Sequence, residues 1–134
     1  MGATLSINYG TTPNWGDEAR RLTGGRGVDH VLDVGGANTL NQAITAARTS
    51  GAVSVIGVLS GFSGEIRTAA ILQKALRLRG IYVGSVAMFE AMVRAIEAHR
   101  IKPVIDRVFP FDEAPAAYAY LASGQHFGKV VIRV

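Results

Sequence analysis

The sequence predicts an α/β fold in which helices alternate with the strands of a parallel sheet. Three observations support this prediction. Short apolar runs alternate with longer segments whose apolar residues recur at helical spacing. Glycines stand at the ends of many of these runs. Runs such as residues 53–58 are continuously apolar, which is typical of strands covered on both faces. The repeated strand–helix order favours the right-handed crossovers of a parallel sheet.

The first part of the chain alternates strands with helices, and glycines or caps mark their ends. The predicted elements are an edge strand at 4–9, a helix from Asn14 that stops at Gly24-Gly25, a strand at 28–34, a helix with a capping box from Thr39 that ends at Gly51, a strand at 52–57, a helix from Thr68 to about Leu76, and a strand at 77–84.

The second part begins with the most regular helical pattern, in which Phe89, Met92, Val93 and Ile96 share one face. A strand is predicted at 104–109. Asp112 is expected to cap the next helix, which accepts Pro115 in its first turn. The last predicted elements are a stop at Gly124 and a strand at 129–134.

Composition limits the class of protein. The 134 residues fit one domain, and a 49% hydrophobic, 18% charged chain is globular. The net charge of +4 comes from scattered residues, so no nucleic-acid partner is expected. There is no cysteine, which excludes disulfides and thiolate zinc sites. No signal peptide and no apolar run of membrane length is found, so we expect a cytoplasmic protein without a membrane partner.

Glycines close three of the predicted strands. The sequences are Val34-Gly35-Gly36, Ile56-Gly57-Val58 and Val83-Gly84-Ser85. Ligands of open parallel sheets bind outside the carboxyl ends of the strands, where a glycine leaves room for a flat cofactor. Each glycine taken singly could merely end a strand. Three in succession favour a shared binding rim.

Candidates for catalysis or metal binding are few. The histidines, His30, His99 and His126, have no metal-ligand spacing, so neither a catalytic nor a metal-binding residue is predicted. Asp33, late in its strand, could orient a ligand or cap local amides. No phosphate-loop motif occurs, because the glycine cluster at 24–27 follows a helix instead of a strand.

Taken in order, several segments resemble the medium-chain dehydrogenase/reductase family, which includes zinc-type alcohol dehydrogenases and quinone oxidoreductases. The similar segments are residues 2–9, 22–29, Asp33-Val34-Gly35-Gly36, Gly57-Val58, 110–114 and 127–131. The resemblance covers essentially the whole chain. It corresponds to the second part of the family's cofactor domain and to the chain end.

The resemblance implies an incomplete Rossmann-like domain over residues 1–134, in which 101–134 returns toward the catalytic domain. The first two strands, the glycine-rich loop and the catalytic domain are expected upstream of Met1. The parent reaction would be hydride transfer between NAD(P)H and an alcohol, carbonyl or quinone. Zinc is possible in the full-length family, but we expect none on this chain, which is predicted to be inactive alone. The alternative is a non-catalytic binding or oligomerisation module.

The resemblance also implies contacts with NADP or NAD, which we expect to bind weakly. Tyr9 matches a position near the adenosine 2′-phosphate, which hints at NADP, although it could simply finish an edge strand. The remaining implied contacts are Val34, Gly35, Gly36, Gly57, Val58, Gly84 and Ser85, which match the rim at the adenosine and nicotinamide portions.

The resemblance further implies assembly with a second copy. In the family's sheet, two strands that this chain lacks lie between residues 4–8 and 28–34. The latter strand would therefore present an unpaired apolar edge. Residues 77–83 resemble the strand that pairs sheets across a two-fold axis. We therefore expect a homodimer, or a sheet whose gap a rearranged strand fills; a monomer with a terminal segment folded over the edge is the alternative.

Overall fold

The strands of the chain form two parallel sheets, one in each of two compact units. In the computed structural model, which describes residues 2–134, the first unit ends at Val83 and the second spans Gly84–Val134. The predicted α/β class with parallel strands is confirmed. The assignment of 1–134 to one domain, and of 101–134 to a returning segment, stays a prediction.

The first unit contains three helices and a three-stranded sheet in the order β1-β2-β3. Its elements are α1 Trp15–Leu22, β1 Val28–Asp33, α2 Ala37–Ala46, β2 Ala47–Val55, α3 Thr68–Gln73 and β3 Arg77–Gly80. In the parallel register, Val53 of β2 stands opposite Val31 of β1 and Leu78 of β3. This alignment brings the carboxyl ends of β1 and β2 side by side.

The core of the first unit lies between α2 and one face of the sheet. Leu40, Ala43 and Ile44 recur at helical spacing and pack with Val53, and the last three of these are fully buried. Leu32 of β1 alternates with Val31 and is 65% exposed. This face of β1 is therefore exposed within the first unit, because the helices pack on the other side; in β2, for which the sequence predicts cover on both faces, the adjacent residues Val53 and Ser54 are both buried.

Residues 4–9 do not form the edge strand that the sequence predicts. A strand needs a neighbour to accept and donate ladder hydrogen bonds, and this segment has none among residues 2–134. Leu5 and Ile7 instead line an apolar hollow of about 350 Å³ together with Trp15 and Val31. The alternating pattern therefore marks apolar contact, but the prediction of sheet pairing is wrong.

The helix ends of the first unit differ from the predictions. The predicted capping box at Thr39 is wrong, because α2 begins at Ala37 after Gly36, whose φ is 88°. Gly51 does not end α2, which passes directly into β2 at Ala47. Thr68 is the first residue of α3 and not its cap. The strand predicted at 52–57 is Ala47–Val55, and the one predicted at 77–84 ends at Gly80.

The end of α2 is capped by the side chain of Lys74, and not by the glycine that the sequence predicts. Lys74 Nζ donates to the carbonyl oxygens of Ile44, Thr45 and Ala47 at 2.9, 2.7 and 3.0 Å. These carbonyls lie where helix turns into strand and have no complete set of intrahelical partners. Burial of the amine, followed by the nearby Arg20, lowers the pKa of Lys74.

The second unit pairs two parallel strands beside one helix. Its elements are α4 Val86–Ala98, β4 Ile105–Pro110, a 3₁₀ turn Phe111–Glu113, α5 Ala114–Ala122 and β5 Lys129–Arg133. Phe109 and Ala117 form its buried centre. Pro115 lies in the first turn of α5 as predicted, but the prediction of Asp112 as the cap is wrong because that residue belongs to the 3₁₀ turn.

The helix predicted around Phe89, Met92, Val93 and Ile96 is confirmed as α4, which has no buried residue. No helix described between residues 2 and 134 is both long and apolar enough to cross a membrane.

Candidate functional site

A cleft of about 680 Å³ opens at the carboxyl end of β1. Its volume falls within the range of small-molecule sites, and its position is where open parallel sheets bind ligands. The lining residues, which define the cleft below, are Ile7, Tyr9, Pro13, Trp15, Leu32, Asp33, Val34, Gly35, Asn38, Thr39, Gln42, Leu59 and Ser60.

The first two glycine sequences lie in direct contact; we call Val34, Gly35, Gly36, Gly57 and Val58 the glycine rim. The amides of Ile56 and Gly57 donate to the Asp33 carbonyl at 2.8 and 3.2 Å, beyond the end of both strands. A Cβ on Gly57 would overlap the Val34 carbonyl, and one on Gly36 would lie 2.9 Å from the Gly57 oxygen. These glycines are therefore required first for contact between the two strand ends, and only then for room beside a ligand.

Asp33 is the buried polar group beneath the glycine rim, with 4% of its surface exposed. Thr39 Oγ1 donates to its Oδ1 at 2.5 Å, and the Gly36 amide donates to its Oδ2 at 3.3 Å. Of the two roles left open by the sequence, the structure supports the capping of local amides. Asp33 holds the start of α2 against the end of β1.

Tyr9 lines the same cleft as Val34 and Gly35 but does not finish a strand. It lies in a turn in which the Asn8 carbonyl accepts from the amide of Thr12 at 2.9 Å and Asn8 Oδ1 accepts from the amide of Gly10 at 2.9 Å. Its ring is 72% exposed. The structure therefore places Tyr9 beside the glycine rim by means of a turn.

Gly84 and Ser85 belong to the second unit. They do not end a strand, because β3 stops at Gly80. Ser85 is the N-cap of α4, and its Oγ accepts from the Met88 amide at 3.2 Å. A side-chain hydroxyl at a helix start satisfies a backbone donor that has no other partner. Their part in the site stays a prediction.

Several cleft residues are absent from the site that the sequence predicts. Polar groups are supplied by Asn38, Thr39 and Gln42 on α2 and by Ser60 after β2, and Leu59 adds an apolar wall. The α2 residues follow the glycine rim within two turns of helix. Their proximity to the glycine rim in the sequence could have indicated these residues. The capping box wrongly predicted at Thr39 instead assigned them a role at the start of the helix.

Zinc does not fit the residues that are present. The sequence has no cysteine. In the part of the chain that the structure describes, no group of three or more His, Asp or Glu side chains could hold a metal ion. His30 Nε2 instead lies 2.8 Å from Ser54 Oγ on the neighbouring strand.

Two of the surface clusters outside the cleft contain a carboxylate whose pKa is lowered by hydrogen bonds. Hydrogen bonds from Arg26 and Arg48 lower the pKa of Asp29 to about 2. In the second unit, the Tyr120 hydroxyl donates to Asp106 at 2.7 Å, which lowers the pKa of Asp106 and raises that of Tyr120. Both clusters are solvent-exposed and structural in character.

A parallel α/β sheet with a cleft at its carboxyl end defines the Rossmann class of nucleotide-binding domains. Comparison with known families then gives the particular family: the model of the zinc-binding dehydrogenases matches residues 1–132. The chain belongs to that family, which confirms the resemblance to zinc-type alcohol dehydrogenases and quinone oxidoreductases.

The chain is similar to a zinc-type alcohol dehydrogenase-like protein of Schizosaccharomyces pombe, with 44% identity over all of this chain and 40% of that protein. A crystal structure of a candidate alcohol dehydrogenase from Sinorhizobium meliloti 1021 superposes with a TM-score of 0.88 and 40% identity over 99% of this chain and 38% of that one. A crystal structure of an NAD-dependent alcohol dehydrogenase gives 0.82 and 32% over 99% and 38%. The chain thus spans about two fifths of these relatives' length.

Proposed function

We propose that the chain supplies part of the nicotinamide-dinucleotide site of an oxidoreductase, whose whole protein transfers hydride between NAD(P)H and an alcohol, carbonyl or quinone. The observation that supports this most is the cleft at the carboxyl end of β1, whose lining includes Val34 and Gly35 of the glycine rim, in a member of a dehydrogenase family. The bound nicotinamide would supply the hydride-transfer chemistry. The residues of this chain would bind and orient the dinucleotide.

The cleft fits a flat, partly apolar ligand. Leu32, Val34 and Leu59 provide apolar surface, while Asn38 and Gln42 provide amide groups. Tyr9, Val34, Gly35, Gly36, Gly57 and Val58 would border the dinucleotide, and Gly84 and Ser85 are proposed further contacts. No lysine or arginine stands among the described lining residues, so the cleft itself does not select a 2′-phosphate. NADP and NAD therefore both remain proposed cofactors.

We expect weak binding and an inactive isolated chain, and the residues present support both expectations. The cleft contains one carboxylate, Asp33, which Thr39 and Gly36 already engage. The described lining offers Asp33 no histidine, lysine or second carboxylate with which to move a proton. The sequence also has no phosphate loop to provide amide contacts to a pyrophosphate.

The oligomerisation module remains the second candidate, favoured by the sheet edges. In the order β1-β2-β3, both β1 and β3 are edge strands within the described first unit. Edge strands expose amides and carbonyls that can pair with another copy. The homodimer and the cytoplasmic location both stay predictions. Light scattering over a range of concentrations would detect the dimer.

Titration of the full chain with NADPH and NADH tests the cofactor proposal, with amide chemical shifts as the readout. We expect shifts confined to the cleft, the glycine rim and Gly84-Ser85, and a dissociation constant above the micromolar range. Tyr9→Ala removes a ring from the cleft and should weaken binding about five-fold, which corresponds to about 1 kcal/mol. Tyr118→Ala, on an exposed ring of α5, is the matched control and should bind as the wild type does. Wild-type spectra in which no amide shift changes with either dinucleotide would refute the proposal.

A further inference from the structure

Residues 58–67, the loop between β2 and α3, are tied to the start of α2 at two points. At the first, the Ser60 amide and Oγ donate to the Gly35 carbonyl at 2.9 and 2.8 Å. Ser60 Oγ also accepts from the Asn38 amide at 2.9 Å. The serine hydroxyl thus joins the glycine rim, the first turn of α2 and the loop.

Asn41 makes the second tie, one helical turn further along α2. Its Nδ2 donates to the Glu65 carbonyl at 3.0 Å, and its Oδ1 accepts from the Arg67 amide at 3.0 Å. One side-chain amide therefore satisfies a donor and an acceptor of the loop backbone. Both ends of the loop are fixed by side chains, without any strand pairing.

Next to the first tie and between the two, the loop presents large apolar side chains to solvent. Leu59 is 89% exposed and lines the cleft, and Phe62 is 93% exposed beside a smaller cavity of about 220 Å³. A loop free to move would reduce this exposed apolar surface. The hydrogen bonds of Ser60 and Asn41 instead hold the loop with Leu59 in the lining of the cleft.

We propose that Ser60 and Asn41 are positioning residues that hold the loop 58–67 in the form in which Leu59 covers a nicotinamide dinucleotide in the cleft. The inference rests on the proposed function and adds to it the residues that prepare the site. A loop that is already ordered loses little conformational entropy on binding, so its contacts contribute more to affinity. Leu59 would contact a ring of the ligand. Ser60, which also lines the cleft, would act chiefly through the loop, and Asn41, which is not among the lining residues, only through it.

Two measurements on the full chain separate these roles: amide hydrogen exchange without ligand, and shift titration with NADPH and NADH. Ser60→Ala and Asn41→Ala should speed exchange of the loop amides and weaken binding, each by about five-fold for the loss of about 1 kcal/mol. Leu59→Ala should weaken binding while exchange stays at the wild-type rate. The matched control is Asn14→Ala, because Asn14 is exposed and its side chain makes no capping bond.

The outcomes are distinct. The inference alone would be overturned if the wild type binds the dinucleotide and the variants bind it as tightly as the control Asn14→Ala does. The variants concerned are Ser60→Ala, Asn41→Ala and Leu59→Ala. Absence of wild-type binding would overturn the proposed function and the inference together. If Asn41→Ala unfolds, Asn41→Asp keeps the acceptor for the Arg67 amide and loses the donor to Glu65, so it should show a smaller change of the same sign.

Discussion

The two ends of β1 each carry an aspartate, and the two residues have opposite surroundings. Asp29, near the start, has a 61% exposed side chain and lies between the guanidinium groups of Arg26 and Arg48 at 2.6 Å. Asp33, at the end, is buried and accepts from a hydroxyl and an amide. The Asp29 carboxylate is satisfied by charged surface side chains. The Asp33 carboxylate is satisfied by neutral donors that follow it within six residues of the chain.

The difference indicates which of the two aspartates contributes more to stability. An exposed ion pair is screened by water and salt and contributes little to stability. A buried carboxylate loses much more when a donor is removed, because water cannot replace it. Substitution of Asp33, at the end of β1 that borders the cleft, should therefore destabilise the fold much more than substitution of Asp29 near the amino end.

The largest effect is expected at Gly57. Alanine there would overlap the Val34 carbonyl, so the two strand ends must separate, at a cost of about 3 kcal/mol in unfolding free energy. Gly25, near the amino end, has φ 83°, and a methyl group added to it would meet no atom within 4 Å. Gly25→Ala should therefore cost only about 1 kcal/mol, from backbone strain. Urea unfolding of both variants makes the measurement, and equal losses would contradict the contrast.

A middle effect is expected at Thr39. Thr39→Val keeps the shape of the side chain but removes the hydroxyl donor to Asp33, which should cost about 1–3 kcal/mol. Thr45 is the matched control on the same helix, since its hydroxyl donates only to the Asn41 carbonyl one turn back. Thr45→Val should change the unfolding free energy by less than about 0.5 kcal/mol. A loss as large as that of Thr39→Val would show that the hydroxyl partner is immaterial.

The smallest effect is expected at Asp29 and appears only in acid. Its folded pKa of about 2 lies below the ordinary 3.8, so its contribution is present above pH 3.8 and disappears as the pH falls toward 2. Asp29→Asn should flatten this part of the stability curve, and high salt should reduce it in the wild type. Urea unfolding at several pH values measures the slope. If Asp29→Asn keeps the wild-type slope, the ion pairs are not its source.

Much of the fold could be predicted because burial leaves a periodic trace. Leu40, Ala43 and Ile44 recur on one helical face, and Val53 marks a buried strand; the structure confirms both as core. The contact between the first two glycine sequences was also predictable, since parallel strands bring their carboxyl ends to one edge. Local periodicity and strand direction are properties that the sequence carries at short range.

What could not be predicted depends on contacts between distant residues. The capping box at Thr39 failed because Asp33 binds that hydroxyl, and the end of α2 was misplaced because Lys74 supplies the cap. Asn41 and Ser60 join segments 22–26 residues apart along the chain. No local rule identifies which polar side chain will reach which backbone group over such separations. The strand prediction at 4–9 is wrong for a different reason, because an extended segment forms a strand only when a neighbouring strand pairs with it.

The lysine at the junction of α2 and β2 has a consequence for post-translational chemistry. All three carbonyls held by Lys74 are bound through the same nitrogen. An acetyl group on that amine would remove its charge and leave a single N–H to share among them. Acetylation of Lys74 and its hydrogen bonds to the three carbonyls therefore require the same atom, Nζ. A chain acetylated at Lys74 during synthesis would enter folding without the link between residues 44–47 and the end of α3, whereas Lys102 and Lys129, both exposed, could be acetylated at any stage.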